Sequence, residues 1–75
     1  MQISTDQLAP IFKSVFGEGV EISADSDKDN TESWDSLGHL NLIVELEDSL
    51  GISFSKHEIE KIKSVGDIIE IIKTK

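Results

Sequence analysis

Cysteine is missing from the 75 residues, so neither a disulfide nor a thiolate-held metal can brace the fold. Long apolar runs are missing as well. The longest is Leu42-Ile43-Val44, too short for a membrane-spanning helix or for the core of a signal peptide. Arginine is absent, proline occurs once, and only four aromatic side chains are present, three Phe and one Trp. A chain of this length supports one domain, residues 1–75, close to the lower size limit for a self-supporting core. With no covalent staple, its stability must come from close packing and well-capped elements. The expectation is a soluble, cytoplasmic domain.

What is present in excess is acid. Fifteen Asp and Glu against seven Lys give a net charge of −8, and the imbalance is local. Residues 17–54 carry ten acids against Lys28 alone, whereas residues 1–16 balance and residues 55–75 are slightly basic. Such a surface repels phosphate backbones, which argues against nucleic-acid binding. It steers the chain toward basic patches on protein partners.

Periodicity is helical throughout. Ser4 and Gln7 form a capping box, Ile3 and Leu8 a hydrophobic staple, and Leu8, Ile11, Phe12, Val15 and Phe16 one apolar face of a first helix that stops at Gly17. Pro10 should kink that helix or move its start later. Residues 17–35 form a long polar connection in which Val20, Ile22 and Trp34 are the candidate anchors. A second helix runs from Ser36 to Leu50, capped by Asp35 and ended by Gly51. On its wheel Leu42, Leu46 and Leu50 share one stripe, with His39 beside it, and Leu37, Leu40 and Val44 lie on roughly the opposite side. Both stripes cannot face one small core, so the second should be exposed, a partner surface ringed by acids. Ser55 with Glu58 opens a short third helix, and Phe54 with Ile59 staples it. Ser64 opens a fourth, with Val65, Ile68, Ile69 and Ile72 inward. The fold class is therefore all-α, a small four-helix bundle of three longer helices and a short third. The core should contain Phe12, Val15, Phe16, Leu42, Leu46, Leu50, Ile62, Ile68 and Ile72.

Ser36 is the residue on which chemistry could centre. A helix N-terminus offers unpaired N–H groups and a partial positive charge, so a phosphate attached there would be favoured. The stretch Trp34-Asp35-Ser36-Leu37-Gly38-His39-Leu40 resembles the Asp-Ser-Leu attachment motif of acyl carrier proteins, and the likeness extends over nearly the whole chain, through Glu58–Val65 to the Ile-rich last helix. The resemblance implies a monomeric carrier rather than an enzyme. A phosphopantetheinyl transferase would attach 4′-phosphopantetheine from coenzyme A to Ser36, and the thiol of that arm would hold acyl groups as thioesters for loading and processing enzymes with basic docking patches. It further implies that Asp35 helps place the transferase metal, with Leu37 beside the attachment point, and that Leu37, Val44, Glu47 and Asp48, with Leu40 on the same exposed stripe, form the docking face. A cleft between the second and third helices would open to take an acyl chain.

Departures bear on the pathway. Glu32-Ser33-Trp34 stands where Leu-Gly-Ala is usual, and Gly38 and Asn41 stand where acids are common. Gly38 also costs about 1 kcal/mol of helix propensity relative to Ala. A specialised fatty acid, lipid or polyketide-type pathway is the expectation. An aminoacyl carrier, D-alanyl or peptidyl, is the alternative, and an acidic helical adaptor without a prosthetic group is the alternative of another class. Two constellations are weaker. Ser36 and Gly38 supply half of a Gly-x-Ser-x-Gly nucleophile elbow, but Trp34 replaces its first glycine and no strand precedes it, and His39 reads as a core histidine rather than its base. His57 has nothing pointing to a role. Asp25–Asn30 imitates the start of a calcium loop, but Asn30 replaces the glycine at its sixth position and Ser36 the glutamate at its twelfth. No metal site is expected.

Overall fold

Local side-chain chemistry decides where each helix begins in the computed structural model, which describes every residue except Met1, Ala24, Glu32 and Ser33. The first helix, α1 (Thr5–Phe16), starts on Ser4, whose Oγ accepts from the Gln7 N–H at 3.4 Å while the Ser4 N–H donates to Gln7 Oε1 at 2.9 Å. Ile3 and Leu8 are both buried beside this box, as a staple requires. The later start that Pro10 suggested is not found. α1 runs through Pro10, whose exposed ring removes one hydrogen bond from the solvent side, while Leu8, Ile11 and Phe12 hold the other side in the core. Gly17 ends the helix at φ +102°, a conformation that favours glycine, and its N–H donates to Lys13 O at 2.8 Å.

The second helix, α2 (Ser36–Leu50), packs chiefly against α1 and stops at Gly51 in the left-handed region, φ +65°. The short third, α3 (Lys56–Lys61), opens on a complete Ser55–Glu58 capping box, and the fourth, α4 (Val65–Lys73), on Ser64, which accepts from the Asp67 N–H at 3.1 Å. The chain is an all-helical four-helix fold, and no strand occurs among the described residues. An isolated antiparallel bridge pairs Asp27 with Ser64.

The core gathers Leu8, Phe12, Leu42, Leu46, Ile62, Val65, Ile68 and Ile72, each at most 1% exposed, around Trp34. Of the expected core positions, Val15, Phe16 and Leu50 are only half-buried and pack on its edge. Ile43, not expected there, is buried. It lies about 20° from Leu50 on the helix wheel, so a wider inward stripe includes it. Val20 and Ile22 pack against the core as anchors of the long connection. Backbone pairing adds what side chains did not announce: Lys28 N–H donates to Lys63 O and Val65 N–H to Ser26 O, both at 2.9 Å, fastening the connection to the α3–α4 junction.

Candidate functional site

Trp34 places the start of α2. Its indole is 2% exposed, meets the Phe12 ring edge-on at 5.3 Å, and lies near-parallel to the His39 imidazole at 6.2 Å. With Trp34 buried, Asp35 and Ser36 are carried out to the surface as the next two residues. Asp35 is extended, at φ −93° and ψ −169°, and its Oδ1 accepts from the Gly38 N–H at 2.8 Å while its carbonyl accepts from the His39 N–H at 2.8 Å. The cap thus satisfies Gly38 but leaves the Ser36 and Leu37 N–H groups without an intrahelical acceptor. Ser36 is exposed, and its hydroxyl makes no hydrogen bond among the described residues. It borders an open cleft of about 340 Å³ lined by Lys28, His39, Leu40, Ile59 and Glu60 as well.

The two-sided character of α2 is as expected from its wheel. Leu37, Leu40 and Val44 are 69%, 56% and 63% exposed, while Leu42 and Leu46 on the other side are fully buried. Asp48 is exposed next to this stripe. Glu47, expected on the docking face, is half-buried, and its Oε2 accepts from the Phe54 N–H at 2.8 Å, tying α2 to the segment before α3.

His39 is 7% exposed and fully engaged. Trp34 Nε1–H donates to its Nδ1 at 2.9 Å, so the ring proton lies on Nε2, which faces Ile59 O at 2.9 Å. Neither ring nitrogen is available to take a proton from Ser36. With no strand ahead of that serine among the described residues, the nucleophile-elbow geometry is not formed there. His57 is exposed on α3. In the acidic connection, Asp27 Oδ1 accepts from both the backbone and side-chain N–H groups of Asn30, a local turn, and no group of three or more His, Asp or Glu suited to a metal occurs among the described residues. The sequence reading passed over the Trp34–His39 pair and the place of Lys28 beside Ser36. The first had a signal, an aromatic and a histidine flanking a capped helix start. The second follows from the backbone pairing of the long connection and had none.

No family model matches the chain. It is 31% identical to an acyl carrier protein of Lactobacillus acidophilus, with 96% of each chain covered. It is 30% identical to a probable acyl carrier protein of Caulobacter vibrioides, covering 93% of this chain and 81% of that one. Among solved structures it superimposes on a holo acyl carrier protein of Geobacter metallireducens with a TM-score of 0.82 at 38% identity, covering 93% and 82% of the two chains. A second, a putative acyl carrier protein of Mycobacterium tuberculosis, gives 0.80 at 26% identity over 92% and 93%.

Proposed function

The chain belongs to the acyl carrier protein family, and from that premise we propose that Ser36 is where its prosthetic group, 4′-phosphopantetheine taken from coenzyme A, is attached. Acyl carrier proteins are carriers and not enzymes, so the task of this chain is to present, hold and hand over an acyl group. The observation that supports Ser36 is its exposed, unengaged hydroxyl at the first residue of α2, held out by the buried Trp34 and the Asp35 cap.

The residues present fit the group. A phosphodiester on Ser36 would face the unpaired N–H groups of Ser36 and Leu37 and the positive end of α2. Lys28 lines the same cleft and is the only cation of residues 17–54. The terminal thiol of the arm supplies a thioester, which is activated toward acyl transfer. Asp35 is proposed to help place the metal of the phosphopantetheinyl transferase. Leu37, Leu40 and Val44, with Asp48 beside them, are proposed as the face that meets this transferase and the acyl-processing enzymes, whose basic patches complement the charge of −8. Glu47 contributes charge to that face while also holding Phe54. We propose a monomer acting in the cytoplasm, where coenzyme A is at hand, in a specialised fatty acid, lipid or polyketide-type pathway.

Intact mass after incubation with coenzyme A, magnesium and a broad-specificity transferase tests the attachment site. One phosphopantetheine is expected on the native chain and none on Ser36→Ala. Addition to Ser36→Ala, or none to the native chain, would overturn it.

A further inference from the structure

We propose that His39 sets the cargo of this carrier: it latches α2 to α3, keeps the seam between them shut, and leaves beside Ser36 a shallow polar seat for a short acyl group bearing a polar substituent. The inference rests on Ser36 being the attachment point.

The latch follows from hydrogen-bond accounting. α3 ends at Lys61, so its last carbonyls have no following turn to pair with. The N–H that would serve Ile59 O in a longer helix belongs to Lys63, and it donates instead to Asp67 Oδ2 at 3.0 Å. His39 Nε2–H fills that vacancy at 2.9 Å, from α2 and across the seam. The imidazole cannot swing outward with α3, because its Nδ1 accepts from the 2%-exposed Trp34 indole. Parting α2 from α3 therefore breaks one bond or the other and strands a donor or acceptor away from water. Behind the latch, Leu42, Leu46 and Ile62 are at most 1% exposed, so an alkyl chain would enter only by displacing these packed side chains.

The seat outside the seam has a different character. Leu40 and Ile59 supply its apolar surface, while Lys28 and Glu60 supply polar groups. A long alkyl chain laid there would desolvate an ammonium and a carboxylate without replacing their water. A hydroxyl or similar group on a short chain can pair with them.

The test uses the ¹⁵N-labelled holo-protein loaded with acetyl, 3-hydroxybutyryl or decanoyl groups, each load verified by mass. In the native chain the Nε2–H tautomer signature of His39 should persist in all three forms. The decanoyl form should melt within about 2 °C of the unloaded holo-protein, below the shift expected from burying several methylenes. The 3-hydroxybutyryl form should move the Lys28 and Glu60 amide signals more than the acetyl form does. In His39→Ala, or in Trp34→Phe should the first not fold, decanoyl loading should raise the melting temperature by several degrees over the variant's own holo form. A native decanoyl form that melts markedly higher and loses the tautomer signature would overturn the latch. Equal amide signals for the two short cargoes would overturn the polar seat. Failure of the native chain to gain phosphopantetheine would be seen first, as a mass, and would remove the attachment reading and this inference together.

Discussion

At the scale of single residues, neighbours on one turn of backbone divide structure from function. Asp35 and Ser36 are adjacent and both exposed, yet only Asp35 is tied into the fold, through its bond to the Gly38 N–H. Asp35→Ala should therefore lower stability by about 1 kcal/mol, the usual effect of removing an N-cap, whereas Ser36→Ala should stay within about 0.5 kcal/mol of the native chain. Urea unfolding of the two variants checks this, and equal losses would show that Ser36 has a structural part after all. Two positions on, His39 shows the opposite arrangement, a polar side chain wholly consumed by the fold. Its signal in the sequence was its place beside the Leu42–Leu46 stripe, which foretold burial. What the stripe could not foretell was the partners, since Trp34 lies across the helix cap and Ile59 O belongs to the backbone of another element.

At the scale of elements, every helix start was legible because N-capping is a contact over three residues, and Ser4, Asp35, Ser55 and Ser64 each make it. The fastening of the long connection to the α3–α4 junction was not legible, because it is backbone pairing between Ser26–Lys28 and Lys63–Val65, which leaves no mark on side-chain type. The bond from Phe54 N–H to Glu47 was hidden for a related reason: an acid on a helix flank looks solvated until the chain folds back over it. α3, at six residues, depends most on its ends. Glu58 closes its capping box and also accepts from Lys75 Nζ at 2.7 Å, while Lys75 sits 5.5 Å over the Phe54 ring. The Lys75 hydrogen bond first, and the Ser55 N–H next, hold the Glu58 carboxyl below its ordinary value of 4.5. A carboxylate lowered on folding adds stability that is fully present above its unfolded value and is lost as pH falls through the lowered folded value. The thermal midpoint of the native chain should therefore drop from about pH 4.5 downward partly through Glu58. Glu58→Gln should flatten that part of the profile while leaving it parallel at neutral pH, and an unchanged acid slope would remove Glu58 from the account.

At the scale of the whole molecule, a charge of −8, with ten of the fifteen acids in residues 17–54, makes docking on the two-sided α2 an electrostatic approach followed by a small apolar contact. Leu37, Leu40 and Val44 are more than half exposed, so changing them removes contact with a partner and little from the core. The neighbouring acids separate the two effects further. Asp48 is exposed, whereas Glu47 is half-buried on the Phe54 N–H. With the phosphopantetheinyl transferase as the measured partner, Asp48→Lys and Val44→Lys should each lower kcat/KM about tenfold, mainly through KM, with melting unchanged. Glu47→Lys should lower kcat/KM and the melting temperature together, since the Phe54 N–H loses its acceptor. Raising salt from about 0.1 M to 1 M shortens the screening length from about 10 Å to about 3 Å, and should weaken transfer to the native chain much more than to Asp48→Lys. Salt curves of equal slope for the two chains would mean that the acidic surface plays no part in bringing partners to α2.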